Sequence, residues 1–231
     1  MTSNRTAVVT GAASGIGAAV MRELQGRGWR VAGLDLRAAG SDCDVVTNMA
    51  DGDAVSAAIA EVEKCLGPIS AVVSAAGHYE IIPVLDITEP VWDRMLSVHL
   101  GGAFNLARAV LPGMIERRDG AFVAVTSELA IGGGDGDSHY AAAKGAIIGF
   151  VRSLAAEVAP HNVRVNGVAP GPTDTPLLAA DSPWREPGYL ATLPARRLAK
   201  PEEIALVAAY LIEDATFTVG EIISPNSGAV I

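Results

Sequence analysis

The sequence predicts an α/β domain in which a doubly wound parallel sheet carries helices on both faces. Short apolar runs alternate with longer segments of helical periodicity along the whole chain, which is the pattern of repeated strand–helix–strand units. The strand-like runs are apolar at nearly every position, as expected for strands that are buried on both faces. No repeat, charged tail or low-complexity linker divides the 231 residues, so we interpret the chain as one domain, residues 1–231.

The predicted elements follow one another in a regular order. Apolar runs predict strands at residues 7–9, 31–34, 45–46, 69–74, 121–126, 163–168 and 221–224. Helical spacing of apolar residues predicts helices at residues 18–26, 55–64, 91–114, 140–158 and 202–212. The long helix should be interrupted in register near Gly101 and Gly102, and Trp92 is expected in its buried face. The stretch between Asp35 and Asn48 is short, so a loop should replace a helix there.

Glycine and proline mark two irregular segments. Residues 131–138 contain four glycines and predict a mobile loop. The proline-rich stretch at about 172–200 is long enough to be a substrate lid rather than a simple connection. The side chains expected to give this lid an apolar underside, suited to a partly hydrophobic substrate, are Leu177, Leu178, Trp184 and Tyr189.

Composition and charge exclude several classes of protein. Half of the residues are hydrophobic and 19% are charged, so the chain has enough apolar surface to fold. The net charge of −9 argues against a nucleic-acid partner, and no apolar run is long enough for a membrane span. Cys43 and Cys65 are too few for a disulfide framework or a four-ligand zinc site, and we expect buried or half-buried thiols. A cytoplasmic protein without a bound metal is therefore expected.

A glycine-rich turn lies between the first strand and the first helix, at residues 10–17. Small residues at this position let backbone N–H groups approach a pyrophosphate, and the helix N-terminus adds a partial positive charge. Asp35 ends the second strand, where a carboxylate accepts hydrogen bonds from the adenosine ribose and repels a 2′-phosphate. This arrangement favours NAD over NADP, although Arg37 could pair with such a phosphate and Asp35 could be an ordinary turn residue.

Tyr140 and Lys144 are four residues apart and share one face of a predicted helix. A tyrosine ionises near pH 10 in water, so it needs help to exchange protons at neutral pH. A neighbouring ammonium group and the positive edge of a nicotinamide ring would lower its pKa. By itself, however, this spacing is common in ordinary amphipathic helices.

Taken together and in this order, these motifs resemble the short-chain dehydrogenase/reductase family over essentially the whole chain. Ser127 lies 13 residues before Tyr140, as in that family, and segments 74–77, 163–172 and 197–204 are similar to its later motifs. The resemblance implies a Rossmann-type fold and hydride transfer between NAD and a secondary alcohol or ketone. It makes Tyr140 the general acid/base, Ser127 a donor to the substrate oxygen and Lys144 a ligand of the nicotinamide ribose. The cofactor contacts that it implies are Gly11, Ser14, Ile16, Gly17, Asp35, Met49, Ala76, Gly77, Lys144, Pro170, Gly171, Thr173 and Thr175.

Histidines occupy three places around the expected pocket. His99 stands where the family usually has a catalytic asparagine that holds a water in a proton relay. Because histidine also donates and accepts, we expect a retained relay with altered pH dependence; the alternative is simple packing at a helix kink. His78 and His139 could contact substrate, but we expect them at the polar rim of the pocket.

Several functions remain open within this resemblance. An NAD-linked alcohol or dihydrodiol dehydrogenase is favoured over a 3-oxoacyl-(acyl-carrier-protein) reductase, because the latter is usually NADPH-linked. A carrier protein would also need a basic docking patch, to which Arg117 and Arg118 contribute at most a small one. A catalytically silent nicotinamide-binding sensor is the alternative of a different class. Helices rich in alanine and glycine resemble the family's subunit contacts and imply a homodimer or homotetramer.

Overall fold

The computed structural model describes residues 5–230 and contains a sheet of seven parallel strands. The predicted domain also includes residues 1–4 and 231, which lie outside the described residues. The strands are β1 (Thr6–Thr10), β2 (Arg30–Asp35), β3 (Cys43–Val46), β4 (Ile69–Ser74), β5 (Gly120–Val125), β6 (Val163–Val168) and β7 (Ile222–Ile223). Their spatial order is β3-β2-β1-β4-β5-β6-β7, and every pair of neighbours is parallel.

Eight α-helices connect or cover these strands in the described part of the chain. They are α1 (Gly15–Gly26), α2 (Gly52–Leu66), α3 (Glu89–Leu96), α4 (Gly102–Arg117), α5 (Leu129–Gly132), α6 (Ser138–Val158), α7 (Pro187–Thr192) and α8 (Pro201–Glu213). A π-helical turn, Ser97–Gly101, joins α3 to α4. The predicted interruption of the long helix is therefore confirmed at this turn.

Two hydrophobic layers bury the sheet between the helices. Val8 of β1 packs with apolar residues of α2, α4 and α6 on one face, whereas Ala7 and Val9 pack with α1 and α8 on the other. This division follows from the strand geometry, because successive side chains point to opposite faces of a sheet. The prediction of a doubly wound sheet covered on both faces is confirmed.

The chain winds in opposite directions from β1, so a crevice opens at the carboxyl ends of β1 and β4. Thr10 ties these two strand ends together: its hydroxyl oxygen accepts the backbone N–H groups of Ala75 and Ala76, each at 3.0 Å. Cofactors of open α/β sheets bind in this kind of crevice. The topology thus sets the position of the site.

The element boundaries differ from the predicted ones mainly at their ends. The prediction of a loop in place of a helix between β2 and β3 is confirmed. The expected loop at 131–138 begins inside the helical turn α5 and ends at Ser138, where α6 begins. The final strand is shorter than predicted, with only Ile222 and Ile223 paired to β6.

Two expectations about burial on α2 and α3 were wrong. Trp92 is 39% exposed, because α3 buries only Met95 and the π-helical turn shifts the buried face of the helix that follows. Cys65 is exposed, because it lies on α2 between the buried positions Val62 and Leu66, beside Cys43 at the edge strand of the sheet. Cys43 is half-buried as expected.

Residues 5–230 provide neither a membrane-spanning helix nor a cluster of metal ligands. None of their helices is long and apolar enough to cross a membrane. Among the same residues, no three or more His, Cys, Asp or Glu side chains are grouped so that they could hold a metal ion.

Gly17 is the position in the first turn of α1 that tolerates a side chain least. A Cβ atom there would lie 2.2 Å from the carbonyl oxygen of Gly11, so β1 and α1 would have to separate. We expect Gly17→Ala to lower the free energy of unfolding by about 2 kcal/mol or more. Gly26→Ala is the matched control, since a Cβ atom there meets open space and alanine favours a helix. Urea unfolding of both variants tests this; a Gly17→Ala variant as stable as the control would contradict the packing described.

Candidate active site

A cleft with a volume of about 750 Å³ lies at the carboxyl ends of the strands. All residues that the sequence analysis assigned to catalysis or cofactor binding line it. They come from the carboxyl ends of β1 to β6 and from the loops and helices that follow. These residues are Gly11, Ser14, Ile16, Gly17, Asp35, Met49, Ala76, Gly77, His99, Ser127, Tyr140, Lys144, Pro170, Gly171, Thr173 and Thr175.

The glycine turn has the shape that a pyrophosphate requires. Gly11 and Gly15 have φ angles of +67° and +53°, a conformation that glycine adopts without strain. A Cβ atom on Gly11 would lie 3.0 Å from the backbone nitrogen of Ala76, so the turn packs closely on the end of β4. Ser14 caps α1 without a side-chain hydrogen bond to the helix, which leaves its hydroxyl available to a ligand. The turn therefore fits the phosphate end of a dinucleotide.

Asp35, the last residue of β2, also lines the cleft. It is half-buried, and its Oδ2 atom accepts the backbone N–H of Ala13 at 3.1 Å. Met49 is buried nearby, and Asn105 holds it by donating to its carbonyl oxygen at 3.0 Å. Arg37 is exposed and does not line the cleft. The carboxylate of Asp35, rather than the guanidinium of Arg37, thus lines the cleft.

The segment after β6 closes the other side of the cleft. Gly171 packs so tightly that a Cβ atom would lie 2.6 Å from the backbone of Asn226. Thr173 donates its hydroxyl hydrogen to the carbonyl of Gly171 at 2.8 Å. A Cβ atom on Gly15 would lie 3.2 Å from the side chain of Thr175, so the start of the predicted lid reaches the glycine turn.

Lys144 is anchored to the end of β5 by two hydrogen bonds. Its Nζ atom donates to the carbonyl of Val125 at 2.8 Å, and the Thr126 hydroxyl donates to the Lys144 carbonyl at 2.7 Å. The side chain is 4% exposed, and this burial lowers the pKa of Lys144 to about 7. Both the ammonium and the amine forms are therefore populated near neutral pH.

Tyr140 is buried beside Lys144, whose Nζ atom lies 5.7 Å from the tyrosine ring centroid. Burial raises the pKa of Tyr140 above its usual value, and the nearby Glu128 carboxyl raises it further. The expectation that Lys144 and a bound nicotinamide together lower this pKa stays a prediction.

Ser127 and Glu128 form a pair that the sequence analysis did not consider. The Ser127 hydroxyl donates to Glu128 Oε2 at 3.0 Å and accepts the backbone N–H of Leu129 at 3.2 Å. Glu128 is 7% exposed and lines the cleft. Burial raises the pKa of its carboxyl group to about 7. The available signal was a carboxyl residue directly after Ser127, at the same edge of the sheet.

The segment predicted to be a lid contributes side chains to the lining of the cleft. Leu177, Leu178 and Trp184 line the cleft as expected, whereas Tyr189 packs edge-on against Trp184 with ring centroids 4.8 Å apart. Trp184 donates from Nε1 to the Tyr79 hydroxyl at 2.7 Å. The lid is thereby connected to the segment that follows β4.

Tyr79 extends this connection inward, which the sequence did not indicate. Its hydroxyl donates to Asp137 Oδ1 at 2.7 Å, and Asp137 is fully buried. Its ring packs edge-on against the Tyr140 ring, with centroids 4.9 Å apart. Tyr79 therefore forms one wall of the space next to Tyr140.

The three histidines occupy different environments. The Nε2 atom of His99 lies 2.9 Å from the His78 carbonyl oxygen, and its buried Nδ1 atom has no partner among residues 5–230. Burial keeps the pKa of His99 well below its usual value, so the ring is neutral. The His99 and Tyr140 rings pack edge to face, with their centroids 5.5 Å apart. His78 is half-buried and lines the cleft. The expectation for His139 was wrong: it is fully buried rather than at the rim. The proton relay through His99 stays a prediction.

The chain belongs to the short-chain dehydrogenase/reductase family. A family profile described as "Enoyl-(Acyl carrier protein) reductase" matches residues 11–229.

The acetoacetyl-CoA reductase of Synechocystis sp. is 36% identical over 228 residues, which cover 96% of this chain and 95% of that protein. The 3-oxoacyl-(acyl-carrier-protein) reductase of Thermotoga maritima is 33% identical, with 98% of each chain covered. A Brucella melitensis crystal structure described as "Short-chain dehydrogenase/reductase SDR:Glucose/ribitol dehydrogenase" has a TM-score of 0.91 and 31% identity, covering 99% and 97% of the two chains. The protein is thus an oxidoreductase of a family that binds a nicotinamide cofactor.

Because burial raises the pKa of Glu128, the free energy of unfolding should depend on pH. The folded protein binds a proton at Glu128 between about pH 4.5 and 7, where the unfolded chain has released it, so rising pH destabilises the fold over this window. Glu128→Gln removes this penalty. Its free energy of unfolding should rise relative to the wild type between pH 4.5 and 7, by on the order of 3 kcal/mol at most, and then level off.

Denaturant unfolding at several pH values measures this difference. Glu116→Gln is the control, because Glu116 is exposed on α4 and does not line the cleft. If the difference between Glu128→Gln and wild type does not change with pH, the carboxyl group of Glu128 titrates normally and the environment described for it is wrong.

Proposed function

We propose that the protein is an NAD-dependent oxidoreductase of secondary alcohols and ketones, with Tyr140 as the general acid/base. One observation supports this most: Ser127, Tyr140 and Lys144 are all buried beside the end of β5, in the cleft that the glycine turn also lines. A protein that only bound a nucleotide would have no need of this group of side chains.

The protein's own groups have distinct roles in this proposal. Ser127 donates a hydrogen bond that orients the substrate oxygen, and Tyr140 receives the hydroxyl proton during oxidation and returns it during reduction. Lys144 binds the nicotinamide ribose and contributes positive charge in its ammonium form. When bound, the nicotinamide cofactor would supply the hydride acceptor for the carbinol carbon, so that oxidation of the alcohol would give the ketone, the reduced cofactor and one proton. Tyr79 and the lid residue Trp184 keep water away from this reaction.

Asp35 supports NAD as the cofactor. Its carboxylate ends β2, lines the cleft and is oriented by the N–H of Ala13. A 2′-phosphate at this position would meet a fixed negative charge, whereas ribose hydroxyls would find an acceptor. Arg37 offers no counter-charge within the cleft lining.

Reduction of a 3-oxoacyl thioester is the second candidate. The names of the Synechocystis and Thermotoga maritima relatives support it, and Arg94, exposed at the cleft, offers a cation for an anionic carrier group. Arg117 and Arg118 do not contribute, because they bond to the carbonyls of Ile69 and Pro160 at the opposite edge of the sheet. The description of the Brucella melitensis structure instead names two polyhydroxy compounds, glucose and ribitol.

Self-association and a cytoplasmic location stay predictions. Gly145 and Gly149 of α6 face open space, and Phe104 of α4 is 48% exposed. These positions lie on the two helices that are expected to form the contacts of a homodimer or homotetramer.

Tyr140→Phe tests the catalytic proposal. Loss of the hydroxyl should lower kcat for NAD-dependent alcohol oxidation by at least about 100-fold, because proton transfer to a positioned group contributes that much or more. NADH affinity should stay within about threefold, since the phenyl ring keeps its packing against Tyr79 and His99.

Initial rates and NADH fluorescence titration supply the two readouts. Tyr210→Phe is the control, because that tyrosine is exposed on α8. Undiminished turnover in Tyr140→Phe would remove Tyr140 from catalysis, and a wild type that binds NADH but oxidises or reduces no substrate would favour the sensor alternative.

Asp35→Asn tests the cofactor preference. The amide oxygen can still accept the Ala13 N–H, so the turn is preserved while the negative charge is lost. The ratio of kcat/KM for NAD over NADP should fall by about tenfold or more. Arg37→Ala should leave that ratio unchanged. A wild type that prefers NADP, or an unchanged ratio in Asp35→Asn, would contradict the assignment.

A further inference from the structure

A carboxyl group lies at the substrate end of the cleft, and the proposed chemistry does not require it. Glu128 is 7% exposed, and its Oε2 atom accepts the Ser127 hydroxyl hydrogen at 3.0 Å. Its backbone is fixed as well, because its N–H donates to the carbonyl of Pro170 at 3.0 Å. The carboxyl group is therefore held beside the hydroxyl that orients the reacting oxygen.

The cleft that Glu128 lines is partly apolar, with Leu129 and Leu178 and the large rings of Tyr79 and Trp184 in its lining. The carboxyl group of Asp137 is near enough to Glu128 to raise its pKa. A buried polar group costs free energy unless it is hydrogen-bonded. A substrate that presents only carbon to Glu128 would displace water from the carboxyl group and leave it without a full set of partners. A substrate that carries a hydrogen-bonding group at this point avoids that cost.

The spacing of the two protein oxygens indicates where this group sits on the substrate. Ser127 Oγ and Glu128 Oε2 are 3.0 Å apart. Two oxygens on neighbouring carbons of a gauche diol are also about 3 Å apart, close to the length of a hydrogen bond. When a diol binds, the Ser127 hydroxyl would turn its hydrogen from Glu128 to the reacting oxygen, and the Glu128 oxygen that this releases would bind the hydroxyl group on the next carbon.

We propose that Glu128 determines substrate specificity by hydrogen bonding to a second hydroxyl group on the carbon next to the reacting one. The substrates are then vicinal diols, and the products of their oxidation are α-hydroxyketones. This inference rests on the proposed alcohol–ketone oxidoreduction. A hydroxyl group fits better than an ammonium group, because an ammonium group only donates and cannot accept a hydrogen bond from the Glu128 carboxyl group. The neutral form of the Glu128 carboxyl, populated near neutral pH, both donates and accepts, as a hydroxyl does.

Three matched probes test the proposal: butane-2,3-diol, butan-2-ol and 3-aminobutan-2-ol, which differ only at the carbon next to the carbinol. The wild type with NAD should give a kcat/KM for the diol at least about tenfold above that for butan-2-ol. Glu128→Ala should lower this diol-to-alcohol ratio by about 10- to 100-fold, because a buried hydrogen bond is lost. Glu128→Gln should keep most of the ratio, since an amide also donates and accepts.

Controls separate specificity from folding. Glu116→Gln should leave the ratio unchanged, because that carboxylate is exposed on α4. Thermal unfolding and NADH titration show whether each Glu128 variant folds and binds cofactor. Because the readout is a ratio of two substrates in one preparation, partial misfolding does not alter it.

A failure of the specificity proposal and a failure of the proposed function would give different results with these probes. A wild type that oxidises butan-2-ol as well as the diol, or prefers the amino alcohol, overturns the specificity proposal and leaves the proposed function intact. An equal loss with every substrate in Glu128→Ala also overturns it, since Glu128 would then act only through Ser127. A wild type that oxidises none of the probes, or reduces only acetoacetyl-CoA, overturns the proposed alcohol oxidation and this inference together.

Discussion

Burial of ionisable groups at the end of β5 is the constraint on which the site depends. Lys144 reaches the carbonyl of Val125 at 2.8 Å in an environment that lowers its pKa to about 7. The same burial raises the pKa of Tyr140 and brings that of Glu128 to about 7. Burial therefore brings the pKa values of Lys144 and Glu128 close together, although in water they would be well separated. Tyr140 also feels the Glu128 carboxyl group, which raises its pKa further.

The topology explains why these groups meet. Because all seven strands are parallel, their carboxyl ends share one edge, and the reversal of winding at β1 opens a crevice there. Thr10 joins the ends of β1 and β4, and Thr126 joins the end of β5 to α6. The glycine turn, the acid after β2 and the Tyr140 helix are far apart in the sequence but reach the same cleft. Trp184 and Tyr79 then cover the end where substrate would lie.

Much of the fold and of the cleft was predictable, since apolar runs and glycine turns are local signals and the motifs occur in the expected order. The errors concern side chains whose environment depends on distant packing. Trp92 is exposed because a π-helical turn rotates the faces of two consecutive helices. His139 is buried in a region where the segment after β4 packs on the loop before α6, with Ile82 N–H donating to the Gly136 carbonyl at 2.9 Å. Glu128 was missed because a glutamate normally faces solvent, and only the turn after β5 directs it inward.

The ionisation of Tyr140 tests the central claim most directly. Ultraviolet difference titration of phenolate absorbance, wild type minus Tyr140→Phe, isolates this one tyrosine with and without saturating NAD. We predict that Tyr140 does not ionise below about pH 10 in the protein alone, because burial outweighs the charge of Lys144. Bound NAD, which brings positive charge to the ring, should move the ionisation at least about one pH unit lower. A Tyr140 that ionises well below pH 10 without cofactor would contradict the account.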